Sequence, residues 1–482
     1  MHKNIFLLII FLALGTFLMS QENDNEHFRI ARESFYRGNF LNAISLFTEA
    51  INTNPYSSIL YSYRARAHAA LGNYAECRQD AYHAILLNPE NAYAYYALGN
   101  MYIELGDFNN ALYNMNIAIN YELNDSNLFS NRGLLHYFMY NHELALRDFQ
   151  AAIALDQYNS TALYYRALIH FNSGSVTSAI SDFNRVILLM PGFPDTYYNR
   201  ASAYTRLNDT AQALRDYNWA IHLNPAYVAA YHGRGLLFYN TGDIIRAIDD
   251  FTIALMLDPE YFLAYNDRGN ALAGIGEIDA AFDDYNMAIS LLPDFALAYN
   301  NRGFLYMNIG DIENAMSDFN RSLELDPSYV MAYNNRAYLL MNTGRFDRAV
   351  LDFNQGIRLD PNNNIAYFYR ALINLEWGNL TDALDDFTEV IRIAPNNAEA
   401  YSQRGITLLL LGEYVRAIDD FNFILRMYPE HADSYDRRGF AYANIGEYQP
   451  AIEDFQNALR INPVHHSARV NLEAVRDLIS DR

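Results

Sequence analysis

The sequence predicts an all-α fold, a solenoid of stacked helix-turn-helix units, and three observations carry that prediction. The segment YNNRGFLYMNIGD (299–311) recurs in altered form 34 residues earlier as YNDRGNALAGIGE (265–277) and 34 residues later as YNNRAYLLMNTGR (333–345), without insertion. A glycine closes the first half of almost every unit, and a proline usually closes the second. Apolar residues follow helical spacing, as Ala315, Phe319 and Leu323 do in AMSDFNRSLEL. A fixed period of this kind marks one elongated repeat array rather than the about three globular domains that the chain length alone would suggest.

The chain opens with MHKNIFLLIIFLALGTFLMS, where Lys3 precedes an apolar run from Ile5 to Met19, and then turns polar at QENDNEH. That is the layout of a secretory signal peptide, because an apolar run of about fifteen residues falls short of the roughly twenty that a spanning helix needs. Residues 1–20 are expected to direct export to a periplasm, a cell envelope or the exterior, with cleavage after Ser20. Retention of the segment as an N-terminal anchor is the alternative, and it would be the only membrane attachment. No cysteine lies near the junction, so a lipid anchor has no support.

Counting so that Pro327 of LDPSY is the thirty-second residue of its unit gives thirteen blocks, which run without a gap from Asp24 to His465. The first helix of a block ends at glycine in eleven of them, from Gly38 to Gly446, and a glycine there supplies the left-handed residue that caps the last carbonyls. Asn208 can do the same, whereas Tyr140 is expected to pass the task to Asn141. The second helix stops before a proline, which bars continuation. Leu123 and Gln157 stand where that proline is missing, so irregular geometry or a hinge is expected after repeats three and four.

Hydrophobic residues make up 51% of the chain, enough for a continuous core. The single cysteine, Cys77, cannot form an internal disulfide, and it stands where sister repeats place alanine. The net charge is −22 and Lys3 is the only lysine, which argues against nucleic acid and anionic lipid surfaces as partners, since both require exposed cationic clusters.

The blocks resemble tetratricopeptide repeats, whose aromatic, Gly, Ala, Phe, Pro signature stands here as Tyr299, Gly303, Gly310, Ala315, Phe319 and Pro327. The resemblance covers residues 24–465. It implies a right-handed superhelix in which the first helix of each repeat lines a concave groove, and it makes residues 466–482 a polar-faced C-terminal capping helix.

The seventh position is Arg in eleven repeats and the twenty-third is Asp in the same eleven, as in Arg268 with Asp284, Arg302 with Asp318 and Arg336 with Asp352. The two exceptions lose both partners together, Ile30 with Leu46 and Leu98 with Asn114. This correlation predicts one structural ion pair inside each repeat, because an Arg fork holds a carboxylate with two hydrogen bonds. With those pairs set aside, 22 arginines remain against 45 acidic residues, which favours cationic partners.

The resemblance also implies which positions line the groove. The ninth and twelfth positions carry Phe304, Met307, Tyr338 and Met341, beside Asn266, Asn300 and Asn334 at the fifth and Asn240, Asn308 and Asn342 at the thirteenth. Asparagine both donates and accepts, so such a ladder can hold an extended peptide backbone while apolar pockets take its side chains. The lysine-dependent clamp of chaperone-binding members is not expected. Tyr at the fourth position, as in Tyr299, is expected to pack between helices.

No phosphate-cradling loop, nucleophile elbow or metal-spaced cluster stands in the sequence, so no catalytic residue, metal or cofactor is expected. His68, His136 and His170 share one repeat position and are expected to pack against aromatic rings, while His465 and His466 carry only a weak metal signal. The sequence thus predicts an exported, non-catalytic scaffold that binds proteins or peptides, as extended segments in the groove of repeats seven to twelve. An anchored assembly factor of the envelope is the alternative, and an enzyme or small-ligand receptor is a more distant one.

Overall fold

The computed structural model describes residues 26–480, and the expected signal peptide at 1–20 lies outside them. Among the described residues every regular element is a helix, 27 in number. None is long and apolar enough to cross a membrane. The chain divides into two compact units, which meet in sequence at Leu257 and Asp258.

Each unit is a succession of antiparallel helix pairs. In repeat nine the first helix, A, spans Ala296–Asn308 and the second, B, spans Ile312–Leu325. The turn between them is tight because Gly310 takes φ +82°, while its N–H donates to the Met307 carbonyl at 3.1 Å and the Asp311 N–H donates to the Tyr306 carbonyl at 2.9 Å. Close approach of the pair is set at Gly303, where an added Cβ would lie 3.0 Å from the Phe319 ring. Phe319 is fully buried beside Ala315. Asp326 starts the turn to the next repeat, with its Oδ1 accepting from the Ser328 N–H at 2.9 Å.

Two expectations need correction. Tyr140 itself takes the left-handed conformation, at φ +60°. The reason is that the Asn141 N–H donates to the His136 carbonyl at 2.8 Å, which imposes the same turn as in the glycine repeats and leaves Asn141 to begin the next helix. The junction after repeat four is regular despite Gln157, since its B helix, His142–Leu155, has the same 14 residues as Ile312–Leu325. Asp156 there accepts from the Tyr158 N–H at 2.9 Å, so the aspartate sets the turn without the proline. After repeat three the expected irregularity is present. Its B helix, Phe108–Asn120, stops a residue short of that length, Glu122 takes φ +60°, and Leu123 tucks into the core with Met115 and Leu128.

The last helix, His466–Ser480, lays Ala468, Leu472 and Val475 against Phe455 of the preceding helix and leaves the rest of its surface largely in water.

Candidate binding face

The arginine at position seven braces the eleven repeats that carry it. In repeat nine Arg302 Nε and Nη2 donate to the two carboxylate oxygens of Asp318, each at 2.8 Å. The same two-bond geometry holds Arg268 to Asp284 and Arg336 to Asp352. Asp318 is only 5% exposed, and its partner's side chain 18%. The hydrogen bonds to Asp318 raise the guanidinium pKa of Arg302 and so hold it charged. In later repeats burial pushes the carboxyls of Asp386, Asp420 and Asp454 above the usual carboxylate range in spite of their arginines, but the two short bonds remain those of an ionised pair.

A third bond from the same arginine was not anticipated. Arg302 Nη1 donates to Asn286 of the preceding repeat at 2.6 Å, and Arg336 Nη1 to Asn320 at 2.7 Å. Each of these two arginines therefore joins its own two helices and the repeat before. The signal was visible in the sequence, because this asparagine follows the aromatic residue after the paired Asp in DFN and DYN (318–320, 284–286). Tyr299 lies over the guanidinium of Arg302, 5.5 Å from ring centre to carbon, and stays half-buried rather than fully packed between helices.

With one side of helix A given to helix B, its open side in repeats nine and ten runs through positions two, six, nine and thirteen. Phe304 is 45% exposed and Met331 46%. Asn308 and Asn342 are exposed, and Asn301, Asn335 and Tyr338 are half-buried. Tyr338 meets Tyr369 of the next repeat edge to face, with ring centres 5.0 Å apart. Met307 and Met341 are half-buried because they pack on the clusters around Phe319 and Phe353. Asn240 is exposed in the first unit.

Asn266, Asn300 and Asn334 do not line an open surface, which corrects their expected role as peptide contacts. They are 1%, 4% and 4% exposed. Their amides are engaged at the repeat boundaries: Asn301 Nδ2 donates to Asn266 at 3.0 Å, Asn335 Nδ2 to Asn300 at 2.9 Å, and Asn334 and Asn363, which caps the first helix of the next repeat, exchange bonds of 3.1 and 2.9 Å. The fifth position turns from the open face toward the adjacent repeat, and the sixth, overlooked in sequence, takes its place.

The histidines also differ from expectation. His68 and His136 lie beside paired carboxylates, with Nε2 at 4.0 Å from Asp80 and 3.9 Å from Asp148, rather than against aromatic rings. His465 contacts Asp433 at 2.9 Å and accepts from the Ala468 N–H at 3.2 Å, as a cap for the last helix. Cys77 is buried, and burial pushes its thiol up to about 12. Among the described residues no three His, Cys, Asp or Glu side chains are grouped to hold a metal.

Comparison with known families agrees with the repeat geometry. Tetratricopeptide repeat profiles match residues 131–195, 194–227, 296–329, 334–398, 387–419 and 432–463, and a TPR repeat profile matches 269–310. The chain belongs to the tetratricopeptide repeat family. A profile of ChAPs (Chs5p-Arf1p-binding proteins) matches residues 18–131 of this tetratricopeptide repeat protein. The rice (Oryza sativa subsp. japonica) protein SGT1 homolog is 35% identical over 96 residues, which is 20% of this chain and 26% of that protein. Hsp70-Hsp90 organizing protein 2 of Arabidopsis thaliana is 40% identical over 57 residues, 12% of this chain and 10% of that one. The chain therefore matches only a small part of the length of these relatives. Among solved structures, yeast Tom70 superposes with a TM-score of 0.44 at 16% identity, covering 80% of this chain and 96% of that one.

Proposed function

We propose that this tetratricopeptide repeat protein is an exported, non-catalytic scaffold that binds extended segments of other proteins along helix A in repeats nine and ten. The observation that carries the reading is the open stripe of exposed Phe304 and Met331 with half-buried Tyr338, flanked by the asparagines at 301, 308, 335 and 342. Aromatic and thioether surface supplies contact area, and asparagine amides can meet a peptide's N–H and C=O groups. The acidic excess of the surface favours cationic segments. Family membership, and the short matches to Hsp70-Hsp90 organizing protein 2, support protein partners. The N-terminal pattern of Lys3, the apolar run and QENDNEH supports export.

Photocrosslinking tests the site. A benzophenone side chain placed at Phe304 should trap a partner, and one placed at Leu351, exposed on helix B of repeat ten, should not. Trapping from Leu351 alone would move the binding surface to the B helices.

A further inference from the structure

Every arginine at position seven holds a carboxylate, but Arg66, at position nine of repeat two, has none in contact among the described residues. Its side chain is enclosed: the residue is 8% exposed, and its guanidinium carbon lies 4.9, 5.2, 5.3 and 5.1 Å from the ring centres of Phe35, Tyr63, Tyr93 and Tyr96. Buried Nη1 has no hydrogen-bond acceptor among the described residues. An arginine does not lose its proton in a protein, so this is a desolvated cation packed among ring faces with no carboxylate in contact among the described residues. Asp125 contributes to the field at Arg66, but its carboxylate caps a helix, accepting from the N–H groups of Asn127 and Leu128 at 2.8 and 3.0 Å.

The wall beside this guanidinium is not closed tightly. Tyr36 is 42% exposed, and its hydroxyl meets that of Tyr63 only at 3.5 Å. On the far side Asn131 Nδ2 donates to Tyr96 at 3.4 Å and to Asn100 at 3.0 Å, which fixes that wall.

We propose that Arg66 anchors a carboxylate-binding subsite in the first unit, with Tyr36 as the wall that turns aside to admit the ligand. With four ring centres about 5 Å from the guanidinium carbon, an anion meets this cation through its N–H edge. A carboxylate is planar and binds along that edge with parallel bonds, as Asp318 does at Arg302, whereas a tetrahedral phosphate would press oxygens against the rings. The subsite belongs to the first unit, and the proposal does not rest on the face proposed in the second.

The test follows thermal unfolding of the full chain in acetate, phosphate and chloride at matched ionic strength, and with acetyl-Gly-Asp-Gly-amide beside its Asn counterpart. Acetate or the Asp peptide should raise the midpoint by about 2–4 °C at saturating concentration, with no equal effect of phosphate, chloride or the Asn peptide. Response to acetate alone assigns the subsite to small free acids, and response to the Asp peptide assigns it to a peptide side chain; both support the proposal. Arg66→Met should abolish the shift. No shift in the wild type, or an equal shift in the variant, overturns the proposal. Since the substitution alters a buried position, a second measurement uses the unaltered chain: acetate should slow phenylglyoxal modification of Arg66 and leave that of exposed Arg29 unchanged. Equal rates at Arg66 with and without acetate contradict it.

Discussion

Arg302 and Asn286 meet across a repeat boundary, Nη1 to Oδ1 at 2.6 Å, while the other edge of the same guanidinium holds Asp318. One side chain thus serves both terms on which a repeat array depends, the stability of a repeat and its coupling to the neighbour. Losing Asn286 strands no buried charge, because that arginine nitrogen lies toward solvent. Asn286→Ala should therefore cost only about 1 kcal/mol, and should broaden the denaturant transition as repeats eight and nine uncouple. An unchanged transition width would separate the bond from cooperativity.

Removing the carboxylate is a different matter. Asp318→Ala leaves a partly buried guanidinium without its counter-ion, and urea unfolding should show a loss of about 3–5 kcal/mol. A loss below about 1 kcal/mol would mean that the pair contributes no more than an exposed one.

Tyr140 sits at φ +60° with its side chain 84% exposed. Glycine at this position relieves the left-handed strain with little packing to lose, so Tyr140→Gly should stabilise the chain by about 1 kcal/mol. Destabilisation would show that the edge contact of Tyr140 with His142 outweighs the backbone strain.

Burial, opposed by the nearby Asp80, Asp148 and Asp182, lowers the pKa values of His68, His136 and His170 from the ordinary 6.5. Folded histidines with lowered values bind fewer protons than unfolded ones, so their contribution to stability is present above pH 6.5 and is lost as pH falls below it. Sister repeats carry leucine at this position, at Leu272, Leu340 and Leu408. Replacing the three histidines with leucine should flatten the dependence of the unfolding midpoint on pH in that window. An unaltered slope would assign it to other groups.

Export makes a separate prediction: the mature protein recovered from cells should begin at Gln21. Recovery of an intact N-terminus in the membrane fraction would favour the anchored alternative.

What was legible in the sequence was whatever repeats itself. The Arg302 and Asp318 pairing could be read because eleven copies keep both partners and two lose both, a pattern that distance in sequence does not blur. Gly310 marked its turn because only a left-handed residue closes it cheaply, yet Tyr140 shows that hydrogen bonding can force the turn on an unsuited residue. The site was less legible. Asn300 and Asn301 are adjacent and chemically identical, and only packing of successive repeats decides that the first is buried and the second half-open. The bond from Arg302 to Asn286 needs the position of the previous repeat, and Arg66 gives little pattern because arginine stands at position nine only there and at Arg32.

The central claim is that the open side of helix A in repeats nine and ten recognises a partner. Its most direct test is capture from envelope extract by the mature wild type and by a Phe304→Ala, Asn308→Ala, Tyr338→Ala variant, both first shown to be equally helical and equally stable. The account predicts a partner that the wild type retains and the variant loses. Equal capture by both proteins would contradict it and place recognition elsewhere on the repeats.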